Sequence, residues 1–171
     1  SFANAGVVAP GYVTPWAAPG MRAKALRSLF STHGAVKLRW PLSFRDVGWM
    51  ARFQRACTLE AYLQNRARLQ RLAFYSRLRL HDIVAARELE YDRGDGYMVL
   101  LRGKREAKMA QRGLEVLRAA GTKFREIDAD EARKIEPALS TDTELAGAIY
   151  LPDDEVGNCR QFALLLKRDA E

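Results

Sequence analysis

The part of the chain best suited to hold a reactive ligand is its first twenty residues, which contain no charged side chain. They hold three of the six prolines and three of the twelve glycines. A surface linker normally carries charge, and a helix crossing a membrane does not carry three prolines. The pattern predicts a buried, irregular backbone whose polar groups need a ligand or another domain as partner. Between Ala5 and Gly6 there is almost no side chain, so a flat ligand could approach the main chain closely.

The residue types that most often carry catalysis do not form a site here. His33 and His81 stand alone, and Cys57 and Cys159 have no Cys or His at metal-ligand spacing, so no metal site is predicted. The acidic run 153–155 follows a proline and is interpreted as a solvated turn, because a general acid or base would need burial. The motifs of serine hydrolases, P-loop nucleotidases and zinc proteases are all missing from the sequence. The catalytic residue therefore stays unknown.

Apolar periodicity places these residues on an alternation of helices and short strands. Helices are predicted over 21–31, 44–56, from Thr58 through Val84, over 104–120 and 129–135, and from Asn158 to the end. Strands are predicted at 89–92 and 97–102, joined as a hairpin through 93–96, and at 123–127 and 145–151, where Pro152 stops the last one. Helices come first and strands interleave later, which favours an α+β fold over a doubly wound sheet. The fold class predicted is helices packed on a small mixed or antiparallel sheet.

The 171 residues suffice for one domain with a core, and their net charge of +7 favours anionic partners. The long helix carries much of this charge. Its arginines, accompanied by two aromatic residues, could contact phosphates or lipid headgroups, or simply form a solvated face: Arg66, Arg68, Arg71, Arg77 and Arg79 with Phe74 and Tyr75. No apolar run reaches the length of a spanning segment. Composition alone does not choose among these partners.

Several motifs, in order, resemble those of the D-amino acid dehydrogenase small subunits, a group within the D-amino-acid-oxidase-like flavoprotein family. The most specific is Ser-Phe-Ala-Asn-Ala-Gly at 1–6, followed by Pro-Gly-Tyr at 10–12 and Pro-Trp-Ala-Ala-Pro-Gly at 15–20. Weaker matches are Glu-Pro-Ala-Leu at 136–139, Leu-Pro-Asp-Asp at 151–154 and Gly-Asn-Cys-Arg-Gln-Phe at 157–162. The resemblance covers essentially the whole chain.

The resemblance implies FAD as cofactor and predicts which residues contact it. These are Ser1, Asn4, Ala5, Gly6 and Val7, through hydroxyl, amide and main-chain groups. Tyr12 and Trp16 could line a substrate pocket or pack in the core, and Tyr97, on the strand predicted to be central, has the same two alternatives. No residue of this chain is assigned to the substrate carboxylate, because the arginine that clamps it in the family lies beyond Glu171.

The resemblance also predicts the domain organisation. Residues 1–20 would be a flavin-contact loop of the FAD domain, 21–157 the substrate (cap) domain, and 158–171 a helix returning to the FAD domain. The chain starts without methionine, ends within a helical pattern and lacks the Gly-x-Gly-x-x-Gly fingerprint, so it is interpreted as an internal fragment. The rest of the flavoprotein would then be its partner, and the fragment alone is expected to bind FAD poorly.

The activity implied is the oxidation of D-amino acids, such as D-alanine, to 2-oxo acids and ammonia by hydride transfer to flavin. Electrons would pass to a quinone in the respiratory membrane, so the protein is expected in the cytoplasm, with peripheral attachment to the inner membrane as an option. Nucleic acid is not expected as a partner. Two alternatives remain open: a related flavin amine oxidase acting on glycine, sarcosine or proline-like amines, and a basic helical binding module without catalysis.

Overall fold

The computed structural model describes residues 5–29 and 41–171. In chain order the elements are β1 (Val7–Val8), α1 (Met21–Leu29), α2 (Phe44–Ala56), α3 (Leu59–Ala86), β2 (Arg93–Leu101), α4 (Lys104–Ala119), β3 (Arg125–Ile127), α5 (Ala129–Ile135), β4 (Gly147–Gly157) and α6 (Cys159–Ala170). They form two compact units. One comprises residues 1–12 and 72–171, and the other comprises residues 13–71.

The sheet belongs to the first unit and is built around β4. Strand β2 pairs antiparallel with nearly the whole of β4, from Gly147 to Gly157. Strands β1 and β3 also pair antiparallel with β4, at its opposite ends. Because a strand has only two hydrogen-bonding edges, β1 and β3 share the edge that β2 leaves open. The predicted mixture of helices with a small antiparallel sheet is confirmed, but the central strand is β4 and not the strand that carries Tyr97.

The predicted hairpin through 93–96 is wrong, and so is the predicted end of the last strand at Pro152. Residues 93–101 form one strand, and β4 continues through Pro152 to Gly157. Asp95 lies opposite Glu155 while Tyr97 lies opposite Leu151, so residues 152–154 bulge opposite Gly96. A proline is tolerated there because the ladder needs no N–H within the bulge. Long-range pairing has therefore overridden the local turn signals.

The core lies between the sheet and α4. Leu114 and Leu117 of α4 pack with Ile149 and Leu151 of β4, and all four are buried. This confirms the helical spacing predicted for residues 104–120. A smaller cluster joins Ile127, Ala132 and Ala148 beside α5. Alternate residues of β4 thus face α4 or α5, as the period of two of a β-strand requires.

Side-chain caps and residues in the left-handed region mark several helix ends. Ser43 and Asp46 form a reciprocal capping box at α2, Asp128 caps α5, and Asn158 caps α6. Gly121, with φ of +67°, follows α4 in the left-handed region. The helix α3 ends at Ala86 without a glycine: Glu88 adopts φ of +49°, and Leu89 N–H donates to the carbonyl of Val84.

Residues 13–71 contain α1, α2 and the first half of α3. Inside this unit the Arg22 guanidinium donates a hydrogen bond to the main-chain carbonyl of Gln54. Trp49 stacks on Phe53 with ring centroids 5.4 Å apart. Predicted helix 21–31 is observed over Met21–Leu29; His33 lies outside the described residues. In the described ranges, no helix combines the length and apolarity needed to cross a membrane.

Candidate functional site

The opening segment is attached to the sheet through β1. Val7 lies opposite Val156 and Val8 opposite Glu155, and the N–H of Gly157 donates to the carbonyl of Gly6 over 2.8 Å. Pro10 and Gly11 are buried, whereas Ala5 and Val7 are exposed. The segment is thus partly regular and only partly buried in this chain, which differs from the fully buried irregular path predicted. Ser1 and Asn4 lie outside the described residues.

Gly6 is a glycine because β4 passes directly beside it. Its φ is +70°, and a Cβ atom would overlap the carbonyl oxygen of Gly157. The space that a side chain would occupy is therefore filled by main chain. A flat ligand would have to approach the opposite side of the Ala5–Gly6 peptide, where the neighbouring Ala5 and Val7 are small or apolar and exposed.

The turn that follows β1 is held by a buried carboxylate. Tyr12 N–H donates to the carbonyl of Ala9 over 3.2 Å, with Pro10 and Gly11 between them. Asp154 is only 2% exposed, and its Oδ1 accepts the N–H of Gly11 over 2.9 Å. A Cβ at Gly11 would lie 2.9 Å from Asp154 Oδ2, so the close approach also requires glycine.

The predicted solvated turn at 153–155 is wrong, because these residues belong to β4 and Asp154 points inward. Its Oδ2 has no hydrogen-bond partner among the residues that the structure describes. Burial raises the pKa of Asp154, although the main-chain N–H groups of Gly11 and Tyr12 and the charge of Arg77 act in the opposite direction. Sequence reasoning missed this residue. The period-two alternation of a strand would have separated it from its two neighbours.

Around Asp154 the end of β4 is tied to α3 and to the loop before β3. The Arg77 guanidinium donates a hydrogen bond to the main-chain carbonyl of Asp153, and Lys123 Nζ lies 3.2 Å from Asp153 Oδ2. His81 Nε2 lies 2.7 Å from Glu155 Oε1, which is hydrogen-bond distance, so this histidine contacts the end of the sheet. These contacts position β4, and through it the opening segment.

Two of the three aromatic residues predicted for a pocket, Tyr12 and Tyr97, belong to the same unit. The rings of Tyr12 and Tyr97 lie 5.6 Å apart and pack against the Leu114–Leu151 core, which corresponds to the core-packing alternative for both. Trp16 belongs to the other unit and is 85% exposed. Their role in a substrate pocket stays a prediction.

The face of the sheet opposite this core is apolar and partly open. Val7 and Val156 are exposed there. A Cβ atom at Gly94 would lie 3.4 Å from a methyl group of Val156. Further along the same face lie Tyr150 and the exposed Leu100. The guanidinium carbon of Arg125 lies over the Tyr150 ring, 5.4 Å from its centroid. Arg125 is itself paired with Glu131 over 2.7 Å. Next to β1 this face is therefore formed by valine and glycine residues, whereas the charged pair of Arg125 and Glu131 lies further along it.

This arrangement suits chemistry that depends on positioning. Within the described ranges, no group of three or more His, Cys, Asp or Glu could hold a metal ion. Hydride transfer to an organic cofactor requires close approach and orientation, which an apolar wall and a fixed main chain can supply. The small, chargeless opening segment, fixed by β4 on one side and exposed at Ala5 and Val7, fits the face of a flat ring.

Comparison with known proteins shows the family to which the chain is related. The whole chain, residues 1–171, matches the DAO family, described as FAD dependent oxidoreductase. A D-amino acid dehydrogenase of Cereibacter sphaeroides is 43% identical over 95% of this chain and 38% of its own length. A D-amino acid dehydrogenase of Rhizobium johnstonii is 39% identical over 100% of this chain and 42% of its own length. The chain thus spans roughly two fifths of these curated relatives.

Among solved structures, glycine oxidase from Geobacillus kaustophilus is similar with a TM-score of 0.49 and 25% identity, covering 57% of this chain and 27% of that one. The family match extends from the first residue to the last and includes the opening segment. The cofactor of that family is FAD. From its sequence over its full length, the chain belongs to the DAO family of FAD-dependent oxidoreductases.

Proposed function

We propose that the chain is part of an FAD-dependent dehydrogenase that oxidises D-amino acids, with D-alanine as a representative substrate. The observation that carries this proposal is the similarity over 95–100% of the chain to relatives named D-amino acid dehydrogenase. FAD, when bound, supplies the two-electron acceptor. The substrate loses a hydride from Cα and a proton from its amine nitrogen, and water converts the resulting imino acid to a 2-oxo acid and ammonia.

In this proposal the chain contributes contact and orientation. Ser1, Asn4 and the stretch from Ala5 to Val7 contact the flavin, and β4 fixes the position of that stretch through the Gly157–Gly6 hydrogen bond. Val156 extends the apolar wall from Val7 and helps to keep water away from the reacting carbon. Tyr12, Trp16 and Tyr97 remain candidates for the substrate pocket.

The division into a flavin-contact loop (1–20), a substrate domain (21–157) and a returning helix (158–171) is part of the same proposal. The substrate carboxylate would be bound by residues outside this chain. The electron acceptor would be a quinone of the respiratory membrane, with the protein at its cytoplasmic face, because the named relatives are dehydrogenases. Nucleic acid has no role in this scheme.

Steady-state turnover by the intact protein tests the activity. D-alanine should be oxidised with a dye or a short-chain quinone as acceptor, and glycine, sarcosine and L-proline should be much poorer substrates. Little hydrogen peroxide should form in air. Preferred turnover of glycine or sarcosine, with one peroxide per substrate, would instead identify a flavin amine oxidase.

Photolabelling tests the flavin contact. The intact apoprotein is loaded with FAD that carries an azide on its ring system, irradiated and digested. Label should appear in the peptide that contains residues 1–7. Label confined to other peptides, at full cofactor occupancy, would show that this segment does not contact the ring.

A further inference from the structure

Asp154 is the acidic residue that is buried most deeply. In the described ranges, Arg66 and Asp154 are the two charged residues that are buried. An acidic side chain is seldom buried unless hydrogen bonds or an opposite charge compensate for its lost hydration. Oδ1 of Asp154 accepts the Gly11 N–H over 2.9 Å, whereas Oδ2 has no hydrogen-bond partner among the described residues. Stability alone would not favour a carboxyl group that is compensated so incompletely.

The compensation that Asp154 does receive comes mainly from the opening segment. The main-chain N–H groups of Gly11 and Tyr12 both act on the carboxyl group, and Arg77 acts on it through its charge. The Arg77 guanidinium itself donates a hydrogen bond to the main-chain carbonyl of Asp153. The carboxyl group therefore serves as an acceptor for the turn that follows β1.

This hydrogen bond completes a series of attachments along one strand. The residues of β4 that follow Asp154 are attached to the opening segment in three consecutive pairs: Glu155–Val8, Val156–Val7 and Gly157–Gly6. Because β1 is only two residues long, its ladder is short, and the carboxyl group supplies the attachment beyond its end. Four consecutive residues of β4 thus fix the segment from Gly6 to Gly11.

We propose that Asp154 is a positioning residue for flavin reduction. Its carboxyl group holds the turn at residues 9–12 and thereby fixes the distance and orientation of residues 5–7 at the flavin ring. This role rests on the flavin contact proposed above and requires no contact between Asp154 and flavin or substrate. Hydride transfer depends steeply on geometry, and a misplacement of about 1 Å can slow it on the order of a hundredfold. Loss of the carboxyl group should therefore slow the chemical step more than it weakens substrate binding.

Stopped-flow reduction of the flavin in the intact, FAD-loaded protein measures the chemical step. The reductant is D-alanine, or the amine that the wild type oxidises fastest. In Asp154→Ala the limiting rate constant should fall roughly ten- to a hundredfold, while the half-saturating substrate concentration changes less than about threefold. Asp154→Asn should stay close to the wild type, because its amide oxygen can still accept the Gly11 N–H. Ile127→Val, which shortens a buried side chain beside α5, controls for general destabilisation and should be reduced at the wild-type rate.

Gly11→Ala tests the same contact from the other side. A Cβ atom at Gly11 would lie 2.9 Å from Oδ2 and 3.0 Å from Oδ1 of Asp154, and the φ of Gly11 lies outside the left-handed region. The added methyl group should push the turn off the carboxyl group and slow reduction as Asp154→Ala does. In the Asp154→Ala background Gly11→Ala should have a much smaller effect, because the carboxyl group is gone. If Asp154→Ala does not fold, Gly11→Ala alone carries the prediction.

Amide hydrogen exchange gives a readout that does not depend on oxidation. FAD should slow exchange in the peptide that contains residues 5–12, both in the wild type and in Asp154→Asn. At full cofactor occupancy, this protection should be lost in Asp154→Ala. FAD-dependent protection in a wild type that does not oxidise D-alanine would refute the proposed substrate and still support the positioning role.

Three results would overturn the proposal. The first is a wild-type peptide 5–12 that FAD does not protect, or an Asp154→Ala variant with unchanged protection and reduction rate. The second is equal slowing in Asp154→Asn and Asp154→Ala, which would assign the effect to the charge and not to the position of the turn. The third is a Gly11→Ala effect of the same size with and without the Asp154 carboxyl group.

Discussion

Replacing Gly6 by alanine should detach the opening segment from the sheet. Gly6 has φ of +70°, and a Cβ atom would overlap the carbonyl oxygen of Gly157, which belongs to the central strand. Gly121 provides a matched control. Its φ is +67°, and no atom lies within 4 Å of an ideal Cβ there. The two substitutions share the conformational cost and differ in the steric overlap.

The expected magnitudes follow from these contacts. The left-handed φ costs an alanine about 1 kcal/mol, which is the whole effect at Gly121. At Gly6 the overlap also breaks the Gly157 N–H to Gly6 hydrogen bond, for about 1 kcal/mol more. The Val7–Val156 contact is lost with it, for roughly another 1 kcal/mol. Gly6→Ala should therefore weaken the attachment of β1 by about 3 kcal/mol, which corresponds to a factor on the order of a hundred.

Amide hydrogen exchange of the intact protein, measured by mass spectrometry, reports this attachment locally. In Gly6→Ala, peptides that contain the Gly157 amide should exchange about a hundredfold faster, and FAD occupancy should fall. Gly121→Ala should leave both unchanged. Unaltered protection at Gly157 in Gly6→Ala, or the same loss in both variants, would refute the inference that β4 holds the opening segment.

Three further substitutions test individual features of the fold. Gly113→Ala, at an exposed position inside α4 with no atom within 4 Å of the new Cβ, should raise the free energy of unfolding by about 1 kcal/mol in urea titration; a decrease would contradict the open environment. Glu88→Gly should also stabilise, by about 1 kcal/mol, because Glu88 has φ of +49° at the end of α3; an unchanged urea midpoint would contradict it. Burial raises the pKa of Asp154 in the folded state. The stability that the Asp154 carboxyl contributes is therefore fully present below its ordinary pKa of 3.8 and is lost as the pH rises through the raised pKa. Urea titrations across that range should show the wild type losing stability relative to Asp154→Asn, whereas the exposed Asp153→Asn should follow the wild type; parallel curves for wild type and Asp154→Asn would contradict the buried charge.

Local patterns predicted the helices well. A helix and its ends depend on contacts within a few residues, as the caps at Ser43 and Asp128 show. Such contacts can be inferred from a short window of sequence. The predicted helices accordingly lie close to the observed ones, for example 44–56 and 129–135.

The strands were predicted less well because their partners are distant in sequence. Residues 93–96 carry turn chemistry, and Pro152 is a strand terminator in isolation. Pairing across about fifty residues nevertheless makes both part of long strands, with the irregularity gathered at Gly96. No local signal reports such a pairing.

The candidate site shows the same division. The composition of the opening segment and its motif indicated a ligand-contact region, and the family match includes it. The hydrogen bond between Gly11 N–H and Asp154 could not be predicted, because three consecutive acidic residues suggest solvent exposure. The strand turns only the middle one inward. The missing side chain of Gly6 was interpreted as space for a ligand, whereas its Cβ direction is filled by Gly157.

Anaerobic reduction of the bound flavin tests the central claim most directly. The intact protein, loaded with FAD, is mixed with D-alanine without any acceptor, and the visible absorption band of the oxidised flavin is followed. We expect complete bleaching with D-alanine, with one pyruvate formed per flavin, and none with L-alanine. An unbleached flavin with D-alanine, or faster bleaching with glycine or sarcosine, would contradict the assignment as a D-amino acid dehydrogenase.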